Sequence, residues 1–244
     1  VSTDDFPQGV YARIPVKGIV VWNSHGFNLT KEPTQIAQYN TFWYAHPDER
    51  TYLVHSIFDT RNIFVMNVPP FQSREYCANY TLPQYSRLIE LSSHTHKRGI
   101  RWRTWLPPQS TDCTPANNCT ADDSPAIYES ESYNDPVVMS LSPALNFDDG
   151  DDGTRTLKYC ALYDNGKSDP RLVKRKSMLP AGANPCADSD TYCIGGDSNG
   201  QPCGGDDSKC SGGVCDACTV TGGVTTEDEM FILLGNYYVM PPSP

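Results

Sequence analysis

Apolar positions along this chain fall in short runs, and where they are spaced regularly the period is two rather than that of a helical stripe. Ile100-Arg101-Trp102-Arg103-Thr104-Trp105 is the clearest alternation, and it predicts a strand with Ile100, Trp102 and Thr104 on one face. Further strands are predicted over residues 10–14, 17–23, 41–44, 63–68, 88–96, 137–141, 156–163 and 230–239. The 20 prolines and 18 glycines interrupt longer elements and supply turns. Half-wet strands of this kind suit antiparallel sheets packed face to face. The predicted fold is therefore all-β, an antiparallel jelly-roll-like β-sandwich with long loops at its ends.

Cysteine usage adds a second feature. Six of the ten cysteines, at 186, 193, 203, 210, 215 and 218, lie among glycines and aspartates with too few apolar residues to bury a core. This reads as a disulfide-rich insertion at about 181–222, stapled to the sandwich. Cys215 and Cys218 have a Cys-x-x-Cys spacing, which in a cytosolic chain would point to zinc or redox chemistry. The even cysteine count, together with sequons at Asn28, Asn79 and Asn118, favours disulfides and an oxidising compartment: secreted, periplasmic or cell-surface. Cys113 and Cys119 are close enough to close a small loop, and Cys77 and Cys160 fall on or beside strands. The overall pairing stays open at this level.

A formal net charge of -10 argues against a nucleic-acid partner, whose phosphates need a basic surface. The basic cluster Lys174-Arg175-Lys176 reads as a solvated loop, and the acidic runs 148–152 and 205–207 read as turns that match no complete calcium loop. No segment approaches the roughly 18 uninterrupted apolar residues of a membrane span. The first residues lack a basic region followed by an apolar core, so a mature form or a fragment is expected.

The chemistry concentrates in Ser93-His94-Thr95-His96-Lys97-Arg98-Gly99, which holds two of the five histidines. On a strand His94 and His96 share a face, so their ring nitrogens can converge on one ion. A thioether as third ligand would select copper, particularly Cu(I), and Met230 offers one. His46 and His55 read as structural or surface residues.

With Thr226-Glu227-Asp228-Glu229-Met230 and the tyrosine-bearing segment ending Tyr237-Tyr238, and more weakly through Asn134-Asp135-Pro136 and Leu157-Lys158-Tyr159-Cys160, the His-Thr-His stretch resembles the copper type II ascorbate-dependent monooxygenases. That family includes the peptidylglycine and dopamine hydroxylases. The resemblance covers most of the chain outside the cysteine-rich insertion and is chiefly to the C-terminal copper domain. It implies that His94, His96 and Met230 hold the copper at which oxygen is activated, with ascorbate as electron donor. It also implies that residues 1–54 are the tail or remnant of a first sandwich and 55–244 the copper-binding sandwich.

The chain departs from the family pattern at two places. Gly18 to Asn28 is similar to the segment bearing one histidine of the family's second copper, here His25, but the adjacent His-His pair that completes that site is absent. His25 is thus either a remnant ligand or a structural histidine. Where peptide-amidating relatives carry an arginine two residues before the first histidine this chain has Ser92, and Ile232 and Leu234 stand at their polar and phenolic positions. A peptide carboxylate would lose its anchors, so a different, unknown small substrate is expected. Two readings remain: a copper monooxygenase, or a non-catalytic extracellular module. In the second, another chain completes the first domain or copies of the chain form a homo-assembly.

Overall fold

The structure is a computed structural model and describes residues 6–14, 17, 32–35, 39, 41–117 and 119–240. Fourteen strands follow in chain order: β1 (Val10–Tyr11), β2 (Tyr52–Asp59), β3 (Asn67–Val68), β4 (Ser73–Thr81), β5 (Ser86–His94), β6 (Gly99–Trp105), β7 (Tyr128–Ser130), β8 (Met139–Phe147), β9 (Thr156–Asp164), β10 (Lys174–Arg175), β11 (Thr191–Ile194), β12 (Val214–Cys218), β13 (Val220–Thr221) and β14 (Ile232–Val239). The described residues contain short 3₁₀ turns but no α-helix, so none has a helix long and apolar enough to cross a membrane. The fold is all-β. By contact density the chain divides into two units, Val1–Val54 and His55–Pro244.

In the first unit β1 pairs in parallel with the start of β2, Val10 opposite Tyr52. The amides of Thr51 and Tyr52 both donate to the Gly9 carbonyl. The strand expected over 41–44 does not form: Trp43 and Tyr44 are 90% and 85% exposed. A β-prone aromatic run cannot hold an extended strand without a partner ladder to pair with and a surface to cover it. The strand expected over 17–23, the sequon at Asn28 and His25 lie outside the described residues.

The second unit is a sandwich. One sheet runs β2-β14-β5-β8 and the other β4-β9-β6-β7. Their inner faces share one core, in which Ile57, Leu88, Leu91, Leu233 and Phe147 meet Ala78, Trp102, Tyr128, Leu157, Tyr159, Ala161 and Tyr163. Each fully buried side chain of this kind contributes about 1.5–3 kcal/mol of transfer free energy. Strand β6 shows why alternation specifies the face: Trp102 and Thr104 are buried inward, the indole donating to the Thr104 hydroxyl at 3.1 Å. Arg101 and Arg103 point outward to Glu75.

Strand β9 breaks the wet-dry alternation, because its outer face is also covered. Cys160 lies directly opposite Cys77 on β4 and is disulfide-bonded to it, and the pair packs with Trp105 and the Cys113–Cys119 bridge in a second small cluster. Asn79, next but one to Cys77, is 7% exposed and donates through its amide to the Ser110 carbonyl. In this fold the amide nitrogen of that sequon is engaged rather than presented to solvent.

The cysteine-rich segment forms its own three-stranded sheet, β10-β12-β11, laced by Cys186–Cys218, Cys193–Cys210 and Cys203–Cys215. It joins the sandwich where β13 pairs with β3, Val220 opposite Val68. All ten cysteines are paired, a state that persists in oxidising compartments.

Candidate metal centre

Strand β5 ends at His94, and the chain turns through Thr95 to Gly99 into β6, with the Gly99 amide donating to the His96 carbonyl. A Cβ at Gly99 would stand 2.3 Å from the Thr95 hydroxyl oxygen, so the tightness of this turn requires glycine. The rings of His94 and His96 lie edge to face, 5.2 Å between centroids and 88° between planes. Two imidazoles held at about 2 Å by one tetrahedral ion have centroids about 5 Å apart, so the separation suits a shared ion. His96 is 5% exposed and His94 half-buried.

The orientation of His96 has an identifiable cause. Its Nδ1 is 3.1 Å from the main-chain oxygen of Asp228. A carbonyl can only accept, so Nδ1 carries a proton, and in the neutral ring this leaves the lone pair on Nε2, the arrangement of a metal-ligating imidazole. Strand β14 runs antiparallel to β5 with Ile232 opposite His94. Met230 precedes Ile232 by two residues as His96 follows His94 by two, so the register puts both residues just beyond the same end of the β5–β14 ladder. Met230 is half-buried, and its carbonyl accepts the Tyr163 hydroxyl at 2.6 Å. The donor set, two imidazoles and a thioether, is one that copper takes.

Around these residues sits a polar hub that the sequence reading missed. The Glu229 carboxyl accepts the main-chain amides of His96 at 2.8 Å and Arg98 at 2.6 Å. Burial pushes this carboxyl up to about 8, against the pull of those two amides and of the Arg98 guanidinium. Arg98, fully buried, donates to the Leu172 and Glu227 carbonyls and to the Glu227 carboxylate. Burial alone would raise the Glu227 carboxyl, but hydrogen bonds from Lys97 and Arg98 outweigh it and hold the group below its usual range.

Asp228 and Lys174 form a buried ion pair at 3.0 Å, each side chain 1% exposed. Asp228 also accepts from the Asn184 amide and the Thr225 hydroxyl. Lys174 is thus no solvated loop residue, as its basic neighbours suggested, but a tie from the disulfide-laced sheet to the segment that holds Asp228. The available signal was three consecutive acids directly before Met230, matched by Lys97-Arg98 directly after the histidine pair.

The other histidines go elsewhere. His46 caps a 3₁₀ turn, its amide donating to Glu49, and is exposed beside Asp48. His55 stacks on Tyr237 at 5.3 Å. Among the described residues Cys193, Cys203 and Cys210 bring three sulfurs together, but all are consumed in disulfides and none is available as a thiolate ligand. No family model matches this chain, and no curated protein matches it.

Proposed function

We propose that this chain is a secreted copper-binding protein that holds copper through His94, His96 and Met230 and hydroxylates a C–H bond of a small substrate with ascorbate-derived electrons. The observation that carries the reading is the His94–His96 pair: rings 5.2 Å apart, with the His96 tautomer set by the Asp228 carbonyl. Copper, when bound, supplies one-electron redox chemistry and oxygen activation, and a thioether ligand favours its reduced state. The residues of the chain supply the rest. The Asp228 carbonyl holds Nδ1 of His96, leaving Nε2 as the atom that would ligate, and the β5–β14 register puts Met230 at the same end of the ladder. Alternation places Ser92 beside His94, and Leu234 and Ile232 opposite them, on one face. A face with two aliphatic residues and no cation at those positions suits an uncharged substrate rather than a peptide carboxylate.

The test is copper stoichiometry by elemental analysis on protein reconstituted with copper and freed of loosely held metal. One copper per chain, absent in the His94→Ala/His96→Ala variant, supports the site and calls for an ascorbate-driven oxygen-uptake assay. No tightly held copper overturns the proposal in favour of the non-catalytic module, which the lack of an adjacent His-His pair in this sequence also motivates.

A further inference from the structure

We propose that Glu229 is a positioning residue that locks the His96 main chain to the segment bearing Met230, so that ligands from two strands stand ready before the metal arrives. The inference rests on the copper reading above and deepens it. The two ligands are distant in the sequence, and nothing in a β5–β14 ladder that closes at His94 and Ile232 holds the residues beyond it. The Glu229 carboxyl bridges that gap at the main chain, as the Glu227 carboxylate does at the Lys97 and Arg98 side chains. Glu229 sits directly before Met230, and its two oxygens take two alternate amides of the turn, those of His96 and Arg98. Asp228, one residue earlier, takes the ring Nδ1 of His96. His96 is therefore gripped at main chain and ring by two consecutive residues whose successor is the third ligand.

Beyond that end of the segment, Tyr163 from the opposite sheet donates to the Met230 carbonyl. Glu229 is itself fully buried, and its own amide and carbonyl are held by Thr221 and Gly223 on the approach from β13. The clamp is thus anchored on β13 and the residues after it rather than on the turn it positions. Groups that hold metal ligands from behind commonly matter 10–100-fold to metal affinity.

Glu229→Gln is the probe, because it keeps size and shape while turning an amide NH₂ toward one of the two N–H donors. The full-length chain is compared with this variant by Cu(I) competition against a chromogenic chelator and by the Cu(II) electron paramagnetic resonance spectrum. The expected result is Cu(I) affinity lower by about 10-fold or more with altered copper hyperfine splitting, and a melting temperature that shows a folded protein. Wild-type affinity and an unchanged spectrum in a folded variant overturn the clamp and leave the copper site standing. Failure of the wild-type chain to bind copper through His94 and His96 overturns both. Should the variant not fold, hydrogen exchange on the metal-free wild-type chain decides. Slow exchange at the His96 and Arg98 amides is expected, and fast exchange at both overturns the proposal.

Discussion

The Nδ1 of His96 donates to the main-chain oxygen of Asp228, 132 residues away in sequence, and this bond separates the roles of two histidines that the sequence presents as equivalents. His96 is buried and bonded at ring and main chain, whereas His94 is half-buried at the end of its strand. Both belong to the proposed donor set, and His96 also ties the β5–β6 turn to the segment before Met230.

Alanine at position 96 is accordingly expected to destabilise the metal-free protein by about 1–3 kcal/mol, since it leaves the Asp228 carbonyl without its donor. Alanine at position 94 is expected to cost less than about 1 kcal/mol. Urea unfolding of both variants without copper checks this. Equal losses would show that the Asp228 bond does not matter to the fold.

Met230→Ala is expected to retain Cu(II) binding through the two imidazoles while losing Cu(I) affinity, because sulfur favours the softer reduced ion. Parallel Cu(I) and Cu(II) titrations measure the difference. Unchanged affinity for both ions, with full turnover, would remove Met230 from the site.

Breaking the Lys174–Asp228 pair strands a buried charge. Lys174→Met alone is expected to destabilise the protein by about 3–5 kcal/mol, and the double variant Lys174→Met/Asp228→Asn by less than the sum of the single changes. A double-mutant cycle in denaturant reads the coupling, and strict additivity would refute it.

Asp59 governs an acid-side dependence. Burial would raise its carboxyl, but hydrogen bonds from Arg61 and from the Tyr159 hydroxyl at 2.8 Å outweigh that and hold it below the ordinary 3.8. A depressed carboxyl stabilises the fold above its unfolded value and loses that contribution as pH falls through the folded one. Asp59→Asn should therefore cost about 2–3 kcal/mol at neutral pH and flatten the decline of stability below about pH 5. A wild-type slope in the variant would point to other acids, Glu227 foremost.

The disulfides differ in the loops they close. Cys77–Cys160 spans 83 positions and Cys113–Cys119 spans 6. On loop entropy the paired serine variants should lose about 4.5 and about 2 kcal/mol respectively. Calorimetry on the two variants tests the order.

Much of this architecture was legible in the residues. The alternation over 100–105 defined β6 and its buried face, the apolar run before His94 defined β5, and the spacing of Cys113 and Cys119 matched their bridge. Strands failed to form or shifted where a run lacked neighbours to cover it. Trp43 and Tyr44 are exposed, and β8 begins at Met139 with Val137 and Val138 about half exposed. Local pattern reports which residues suit a strand but not whether another strand lies alongside.

By itself, the sequence determined most of the strand-forming segments, the oxidised cysteines and the strand that carries His94, since these follow from local chemistry and period-two geometry, but not that the strand stops at His94 and leaves His96 in the turn beyond it. Only the tertiary structure decided which acids serve them. Glu227, Asp228 and Glu229 are three similar residues in a row, yet one pairs with Arg98 and Lys97, one with Lys174, and one clamps the His96 turn. Those assignments depend on contacts between segments more than 50 residues apart, as with Lys174 and Asp228, whose separation is 54. No local pattern encodes such contacts, because burial and partner are set by packing the two sheets together.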